Sequence, residues 1–194
     1  SSETGDLSTA RQSAYSAGTQ PATWLAGGRT GPSGSTNNTE TFNGSSWTEV
    51  NEMNTTRFSS GSTGTYTAGI AVAGNTFTDI SRAVETWNGT SWSTHPNDYD
   101  SDVAEVITFG TTTAAISAGG DLPPATQSGV ESWNGSAWTE LSGTLNTGRN
   151  AMGVSGTQTA GLVFGGSPPV TAKTEAWDGT SFTEVNDMAN ILYG

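Results

Sequence analysis

Short runs of small apolar residues recur along the chain, and polar stretches rich in Gly, Asn, Ser and Thr separate them. One set of runs is nearly unbroken in apolar character and ends in a pair of small residues: TWLAGG, GIAVAGN, AAISAGG and GLVFGG. A short unbroken apolar run bounded by turn residues is typical of a strand that is buried on both faces. The pattern therefore predicts four short, fully buried strands.

A second set of runs contains two aromatic residues on either side of a turn. The stretch TETFNGSSWTEV covers residues 39–50, and near-copies begin at Val84, Val130 and Thr174. Asn-Gly and Asp-Gly between alternating strands predict a β-hairpin with a type I′ turn, in which both central residues have positive φ. The flanking aromatics are expected to pair across the hairpin or to pack on the next unit: Phe42 with Trp47, Trp87 with Trp92, Trp133 with Trp138, and Trp177 with Phe182.

The two sets alternate with a fixed period of about 46 residues. The period is clearest in the Gly-Thr pairs that begin at Gly18, Gly64, Gly110 and Gly156, each 46 residues after the last. Each unit contains four short strands, which is too little core to be stable alone, so neighbouring units must pack on one another. Radial packing of such units gives a β-propeller, and a linear array is the less favoured alternative.

We therefore predict an all-β protein in which residues 1–194 form a single repeat domain. The four repeats are predicted at residues 7–52, 53–98, 99–144 and 145–187, with partial flanking units at 1–6 and 188–194. The pattern fades after Met188, where the expected arginine position holds Leu192, and this favours an array that ends near there. A window from a longer array is the alternative.

Composition narrows the class of protein. Only 32% of the 194 residues are apolar and 12% are charged, which fits either disorder or a turn-rich β protein, and seven regularly placed Trp favour the latter. The net charge of −12 disfavours nucleic-acid and anionic membrane partners. The chain has no cysteine, and no apolar run approaches the roughly 18 residues of a spanning helix.

Charged residues recur at two repeat positions. Arginine occupies one position in three repeats, while the third repeat has Val103 there, and glutamate occupies the other position in all four. These residues are Arg11, Arg57 and Arg149, and Glu40, Glu85, Glu131 and Glu175. A ring of charges displayed for a ligand is one interpretation. We favour a structural ion pair repeated in each unit, which can fix strand register without adding much stability.

Four loops differ most between the repeats, at residues 29–39, 75–83, 121–129 and 167–173. Variable loops on a repeated scaffold are where binding residues are expected, although drift under weak constraint explains the variation equally well. The candidate binding residues in these loops are Arg29, Asn37, Phe77, Asp79, Asp121 and Lys173.

A candidate calcium site lies in NDYDSD, where Asp98, Asp100 and Asp102 occupy alternate positions. Carboxylates at this spacing ligate calcium in some loops, but the glycine at the sixth position and the glutamate at the twelfth are missing. A solvated turn is therefore the favoured interpretation, and no other cofactor is predicted.

No residue set indicates a reaction. His95 is the only histidine, and the acids fall mostly at repeat positions, where catalytic residues seldom recur. A hydrolase would require two carboxylates that converge in one pocket. We predict a non-enzymatic protein.

The repeat resembles the kelch type, in which a small strand ending in Gly-Gly is followed by a variable loop and two spaced aromatics. The chain departs from that pattern in three ways: the first aromatic is Phe or Trp instead of Tyr, the aromatics are five positions apart, and the second repeat has Ala73-Gly74. The combination of TAGLVFGG, TEAWDGTSFTEV and LNTGR is similar to kelch-like arrays in structural and tail-fibre-like proteins of marine bacteriophages and in some bacterial surface proteins.

This resemblance implies a kelch-like β-propeller with an extracellular or virion-borne role. The expected function is a structural or adhesion module of a phage fibre or virion appendage, with other structural proteins, a cell-surface glycan or protein, or further copies of the chain as partners. The alternative is a secreted or cell-surface bacterial carbohydrate-binding propeller that uses exposed aromatics such as Trp24 or Phe77, although a core position is the favoured interpretation for Trp24.

Overall fold

A computed structural model describes residues 5–190, and within that range the protein is all-β with no helix. The all-β prediction is confirmed. Leu192 and most of the two predicted partial flanking units fall outside the described residues. The eighteen strands are β1 (Tyr15–Thr19), β2 (Ala22–Ala26), β3 (Thr39–Phe42), β4 (Trp47–Val50), β5 (Gly61–Thr65), β6 (Ala68–Val72), β7 (Val84–Trp87), β8 (Trp92–Thr94), β9 (Ile107–Gly110), β10 (Ala115–Ala118), β11 (Asp121–Leu122), β12 (Ala125–Thr126), β13 (Val130–Trp133), β14 (Trp138–Glu140), β15 (Gly153–Thr157), β16 (Ala160–Phe164), β17 (Thr174–Trp177) and β18 (Phe182–Val185).

The strands form four four-stranded antiparallel sheets and one two-stranded ribbon. Sheet 1 contains β1 to β4, sheet 2 contains β5 to β8, sheet 3 contains β9, β10, β13 and β14, and sheet 4 contains β15 to β18. Each sheet is an up-and-down meander and lies within one predicted repeat. The ribbon of β11 and β12 lies inside the variable loop of the third repeat, where the sequence predicts only a loop.

The core lies between the sheets. Three apolar clusters each join two consecutive sheets: Trp24 of sheet 1 with Trp92 of sheet 2, Ile70 of sheet 2 with Trp133 of sheet 3, and Ile116 of sheet 3 with other residues of sheet 4. The first strands of consecutive sheets are also in contact, β1 with β5, β5 with β9, and β9 with β15. Because most of the buried apolar surface is shared between neighbours, a single repeat would not be stable alone.

Burial of the second strand of each sheet depends on the position of the sheet in the series. Strands β6 and β10 are buried almost throughout, as the sequence predicts, because a sheet packs on each of their faces. The prediction holds only in part for β2, where Leu25 is partly buried, and it is wrong for β16, where Leu162 is 44% exposed although the equivalent Ile70 and Ile116 are buried. The face of sheet 4 that carries Leu162 has no following sheet among the described residues.

The predicted aromatic pairs are confirmed in all four hairpins. The paired rings lie 4.9 to 5.4 Å apart, centroid to centroid, across directly opposed strand positions. Three indole N–H groups also donate to backbone carbonyls in the turn between the first two strands of the same sheet, as in Trp87 to Tyr66 O at 2.8 Å. These three pairs therefore connect the outer hairpin to the inner strands.

The hairpin turns differ from the predicted type I′. The first pair, Phe42 and Trp47, encloses the four-residue loop 43–46, and of that loop only Gly44 has positive φ. The Asn43 side-chain oxygen accepts hydrogen bonds from the backbone N–H groups of Ser45 and Ser46, at 3.0 and 3.1 Å. This side chain stabilises the turn, so Asn43 itself need not adopt positive φ. The type I′ prediction is wrong for this reason.

The described residues contain no helix that is long and apolar enough to cross a membrane.

Candidate functional site

The antiparallel topology places two features at the same end of the sheets: the variable loops, and the incoming segments, which are the residues just before the first strand of each sheet. In every repeat, the segment before the first strand bridges to the start of the loop after the second strand, as in Gln12 with Arg29 and Phe58 with Asn75. The Asn-Gly hairpin turns lie at the opposite end. We call the end that carries the variable loops the loop face.

Buried glutamates hold the incoming segments in place at this end. In sheet 2, the Glu85 carboxylate accepts hydrogen bonds from the backbone N–H groups of Asn54 at 2.7 Å and Thr55 at 3.1 Å. Arg57 lies 3.4 Å from the same carboxylate, and neither charged side chain has exposed surface. Equivalent ion pairs join Arg11 to Glu40 and Arg149 to Glu175.

These contacts confirm the structural interpretation of the repeated charges and exclude a displayed ring of charges. The third repeat is different because Val103 takes the arginine position while Glu131 is retained. Burial raises the pKa of the Glu131 carboxyl above its ordinary value, with hydrogen bonds from Ser101 and Asp100 acting in the opposite direction. A cavity of about 220 Å³ adjoins this carboxylate.

A second cavity, of about 400 Å³, lies where the four incoming segments meet. Equivalent residues of all four repeats line it, and one residue in each repeat has a left-handed backbone with φ between 51° and 58°: Ser13, Ser59, Glu105 and Ala151. Two backbone hydrogen bonds of 2.9 Å connect three of these residues, from Ser59 N to Ser13 O and from Glu105 N to Ser59 O. We call this the axial cavity.

Glu105 is the only charged residue among those that line the axial cavity. Burial raises the pKa of its carboxyl, and the nearby Asp121 carboxylate raises it further. The axial cavity therefore holds a single carboxyl, whereas Asp102, Glu131 and Glu140 all line the cavity of about 220 Å³.

Arg29 and Phe77, both predicted binding residues, lie together on the loop face. The Arg29 guanidinium stacks on two rings, 5.1 Å from the centroid of Phe58 and 5.0 Å from that of Phe77, and the two rings are 4.7 Å apart. Phe77 is 39% exposed and has φ of 72°, a strained conformation for a bulky side chain. The cluster therefore leaves part of Phe77 exposed to solvent beside the Arg29 guanidinium.

The other predicted residues of the first two loops have local partners. The Asn37 side chain donates to Met53 O at 2.9 Å and to Glu52 at 3.1 Å, so it links the loop to the junction between the first and second repeats. The Asp79 carboxylate accepts from Ile80 N at 2.8 Å, and its carbonyl accepts from Thr76 N at 3.0 Å. Both residues therefore shape their loops.

Asp121 and Lys173 lie in the last two loops, away from the Phe77 cluster. Asp121 begins β11 and exchanges backbone hydrogen bonds of 2.7 and 3.0 Å with Ala104. Lys173 donates to Glu184 at 2.8 Å, with both side chains about half exposed. The structure brings Arg29 and Phe77 into one cluster, and it leaves the other four binding candidates separate from it.

The proposed calcium residues do not form a metal-binding cluster. Across residues 5–190, no group of three or more His, Cys, Asp or Glu side chains lies close enough to hold a metal ion. Asp102 instead lies 3.7 Å from Arg82, and the backbone N–H of Asp100 donates to Glu131. Asp98, Asp100 and Asp102 are all exposed, as expected for the solvated turn.

Sequence reasoning missed Phe58, Glu105 and the cavity beside Glu131. Each lies at a repeat position, so comparing equivalent residues of the four repeats could have singled it out. At the position of Glu105, for example, the other three repeats have the uncharged residues Ser13, Ser59 and Ala151. The contact of Phe58 with Phe77 joins residues 19 positions apart through the bridge at Asn75, and no periodic pattern predicts it.

Comparisons with known proteins provide no further assignment. No protein-family model matches the chain, and no curated protein sequence matches it.

Proposed function

We propose that the chain is a kelch-like β-propeller that serves as a non-enzymatic structural or adhesion module of an extracellular assembly, such as a phage fibre or virion appendage. The propeller arrangement is supported by the axial cavity, which equivalent residues from all four repeats line. Radial placement of four similar sheets around one axis produces such a cavity.

The observation that carries the assembly role is the exposed outer face of sheet 4. Leu162 and Val185 are 44% and 41% exposed, whereas the residues equivalent to Leu162 in the first three sheets pack against the following sheet. On sheet 1, the residues that would receive such a packing partner, Leu25 and Trp47, are only partly buried. The exposed faces of sheet 4 and sheet 1 therefore resemble the two surfaces that pack together wherever one sheet of the structure follows another.

We infer that the four sheets form an open arc of a propeller and that a further sheet of the same kind packs on sheet 4, such as sheet 1 of a second copy. Leu162→Glu places a charge on this face and is expected to abolish self-association, measured by light scattering of the purified chain over a range of concentrations. Val170→Glu is the matched control, because Val170 is 42% exposed in a loop. A wild-type chain that stays monomeric at all concentrations would contradict this packing.

The absence of cysteine allows a direct test of the geometry. In Leu25→Cys with Leu162→Cys, a short thiol crosslinker should join two chains if the array continues between copies. A crosslink only within one chain would mean that the four sheets close on themselves. Labelling of the native source with an antibody against the chain should mark a fibre or virion appendage, and a label found only on free monomer would overturn the assembly role.

The alternative function is carbohydrate binding, and the Phe77 cluster favours it. Aromatic faces stack on the apolar faces of sugar rings, and Arg29 supplies N–H donors beside the ring. Trp24 is excluded as a second platform because it is fully buried between sheets 1 and 2. A glycan array tests this function: saturable binding that Phe77→Ala removes and Leu162→Ala retains would support it.

A further inference from the structure

Three of the four repeats supply their own arginine, which pairs with the glutamate of the repeat and donates to nearby backbone carbonyls. In the first repeat, the Arg11 guanidinium pairs with Glu40 and also donates to Asn38 O at 2.9 Å and to Gly27 O at 3.3 Å. In the second, Arg57 donates to Ala83 O, the equivalent of Asn38 O, at 2.6 Å and to Ala71 O, two residues before the equivalent of Gly27, at 3.3 Å. A carboxylate and nearby carbonyls at the end of the second strand thus form a guanidinium site.

The third repeat keeps these acceptor positions but has no arginine. Gly119 and Gly129 are equivalent to Gly27 and Asn38, and the hydrogen bond between them is preserved, from Gly119 N to Gly129 O at 3.0 Å. Gly119, Gly129, Val103 and Glu131 all line the cavity of about 220 Å³. In the third repeat, the smaller apolar side chain of Val103 therefore fills only part of the space that arginine fills in the other repeats. A cavity takes up the remainder.

The carboxylate in this cavity lacks a cationic partner. Glu131 is 2% exposed, and its two oxygens accept hydrogen bonds from the backbone N–H groups of Asp100 at 3.1 Å and Ser101 at 3.0 Å, with the Ser101 side chain beside them. In the part of the chain that the structure describes, no ion pair includes Glu131 or Glu140, the other glutamate that lines the cavity. Removing water from a carboxylate without pairing it is costly.

The mouth of the cavity favours a cation with a short apolar stem. Exposed Asp102 and Glu140 line it beside Leu122, which is itself 39% exposed. One cation lies nearby: Arg82, whose Nε lies 3.7 Å from Asp102 and donates to Tyr99 O at 2.8 Å. Arg82 is thus engaged at the rim, and the two glutamates keep the lining acidic overall.

We propose that this cavity binds a guanidinium group supplied from outside the chain, in the place that arginine takes in the other repeats. The planar guanidinium presents several N–H donors in a fixed fork that matches a carboxylate and adjacent carbonyls, whereas an ammonium is a point charge without that geometry. The ligand is either a small free guanidinium compound or an arginine side chain of a partner protein.

The first experiment titrates the purified chain with methylguanidinium chloride, followed by calorimetry and by the amide NMR signals of residues around Glu131. We expect saturable binding of one molecule with Kd on the order of millimolar, since so few atoms make contact. At roughly ten times Kd the melting temperature should rise by about 3 to 6 °C. Methylammonium chloride at the same concentrations is the control for charge and ionic strength.

Two variants locate the site. Val103→Arg restores the internal arginine and should abolish methylguanidinium binding while raising the melting temperature of the free protein. Glu131→Gln removes the charge and should weaken binding at least tenfold. Glu85→Gln is the matched control, because it alters the same carboxylate in a repeat that has Arg57, and its affinity for methylguanidinium should equal that of the wild type.

The outcomes are decisive even if Glu131→Gln fails to fold, because Val103→Arg leaves every acceptor in place. No saturable binding by the wild type, equal affinity for methylammonium, or unchanged affinity in Val103→Arg would each overturn the proposal. A blocked Gly-Arg-Gly peptide, compared with Gly-Lys-Gly, identifies the source of the ligand. Binding of the arginine peptide indicates a partner protein, and binding of methylguanidinium alone indicates a small free ligand.

Discussion

Removal of Arg57 tests whether the repeated ion pairs hold the sheets to their incoming segments. Arg57→Met keeps most of the side-chain volume but leaves the Glu85 carboxylate buried without its cation. The two charges are 3.4 Å apart with no exposed side-chain surface. At an effective dielectric constant of about 20, their attraction is about 5 kcal/mol.

The net loss should be smaller than this attraction because Glu85 keeps other partners. Its carboxylate still accepts from Asn54 N, Thr55 N and the Asn54 amide at 2.7 to 3.1 Å. Loss of one partner of a buried pair typically costs about 3 to 5 kcal/mol, and we expect Arg57→Met to fall in that range. The double variant Arg57→Met with Glu85→Gln removes the orphaned charge and should recover about 2 kcal/mol of the loss.

Urea unfolding monitored by tryptophan fluorescence gives the free energy of unfolding of each variant. Arg82→Met is the matched control, since the Arg82 pair with Asp102 is 3.7 Å apart and largely exposed, and its loss should cost under about 1 kcal/mol. The reasoning is refuted if Arg57→Met costs no more than this control, or if the double variant is less stable than Arg57→Met.

Three further predictions concern the turns, the sheet contacts and the third repeat. Backbone and hydroxyl hydrogen bonds lower the pKa of Asp178 to about 2, so its contribution to stability is lost as pH falls from about 4 through that value. Asp178→Asn should remove this acid dependence and leave the melting temperature at neutral pH within about 2 °C of wild type. Gly69→Ala should destabilise by about 1 to 3 kcal/mol in urea unfolding, because its Cβ would lie 2.5 Å from a buried indole carbon, whereas Gly31→Ala, with no atom within 4 Å, should be neutral. Burial raises the pKa of Glu131, so the wild type loses stability as pH rises above about 4.5, and the melting-temperature advantage of Val103→Arg should grow over the same range.

Features that recur in every repeat could be predicted from the sequence. The pairing of Phe42 with Trp47 follows from strand alternation around one turn, and it was seen four times in one chain. The pair of Arg57 with Glu85 follows from two charged positions that keep the same spacing. Repetition supplies in one sequence the several independent examples that such inferences need.

Features that depend on how one sheet sits against the next could not be predicted. The stacking of Arg29 on Phe77 joins two different repeats, and Leu162 is exposed because no further sheet packs on it among the described residues. The prediction of a type I′ turn at Asn43 was wrong for a local reason. The Asn43 side chain accepts hydrogen bonds from the backbone N–H groups of Ser45 and Ser46, and these bonds stabilise a turn of a different type.

The departures from repetition are concentrated in the third repeat, which suggests how drift and function can be told apart there. Val103 replaces an arginine and Glu105 replaces a small neutral residue, and each lies beside a cavity with a buried or half-buried acid. If the arginine was lost by drift alone, the unpaired Glu131 lowers stability and has no function. Restoring the arginine should then raise stability without loss of any activity. If the cavity is a binding site, Val103→Arg should instead raise stability and abolish guanidinium binding together, the trade-off expected where a protein keeps a destabilising group for function.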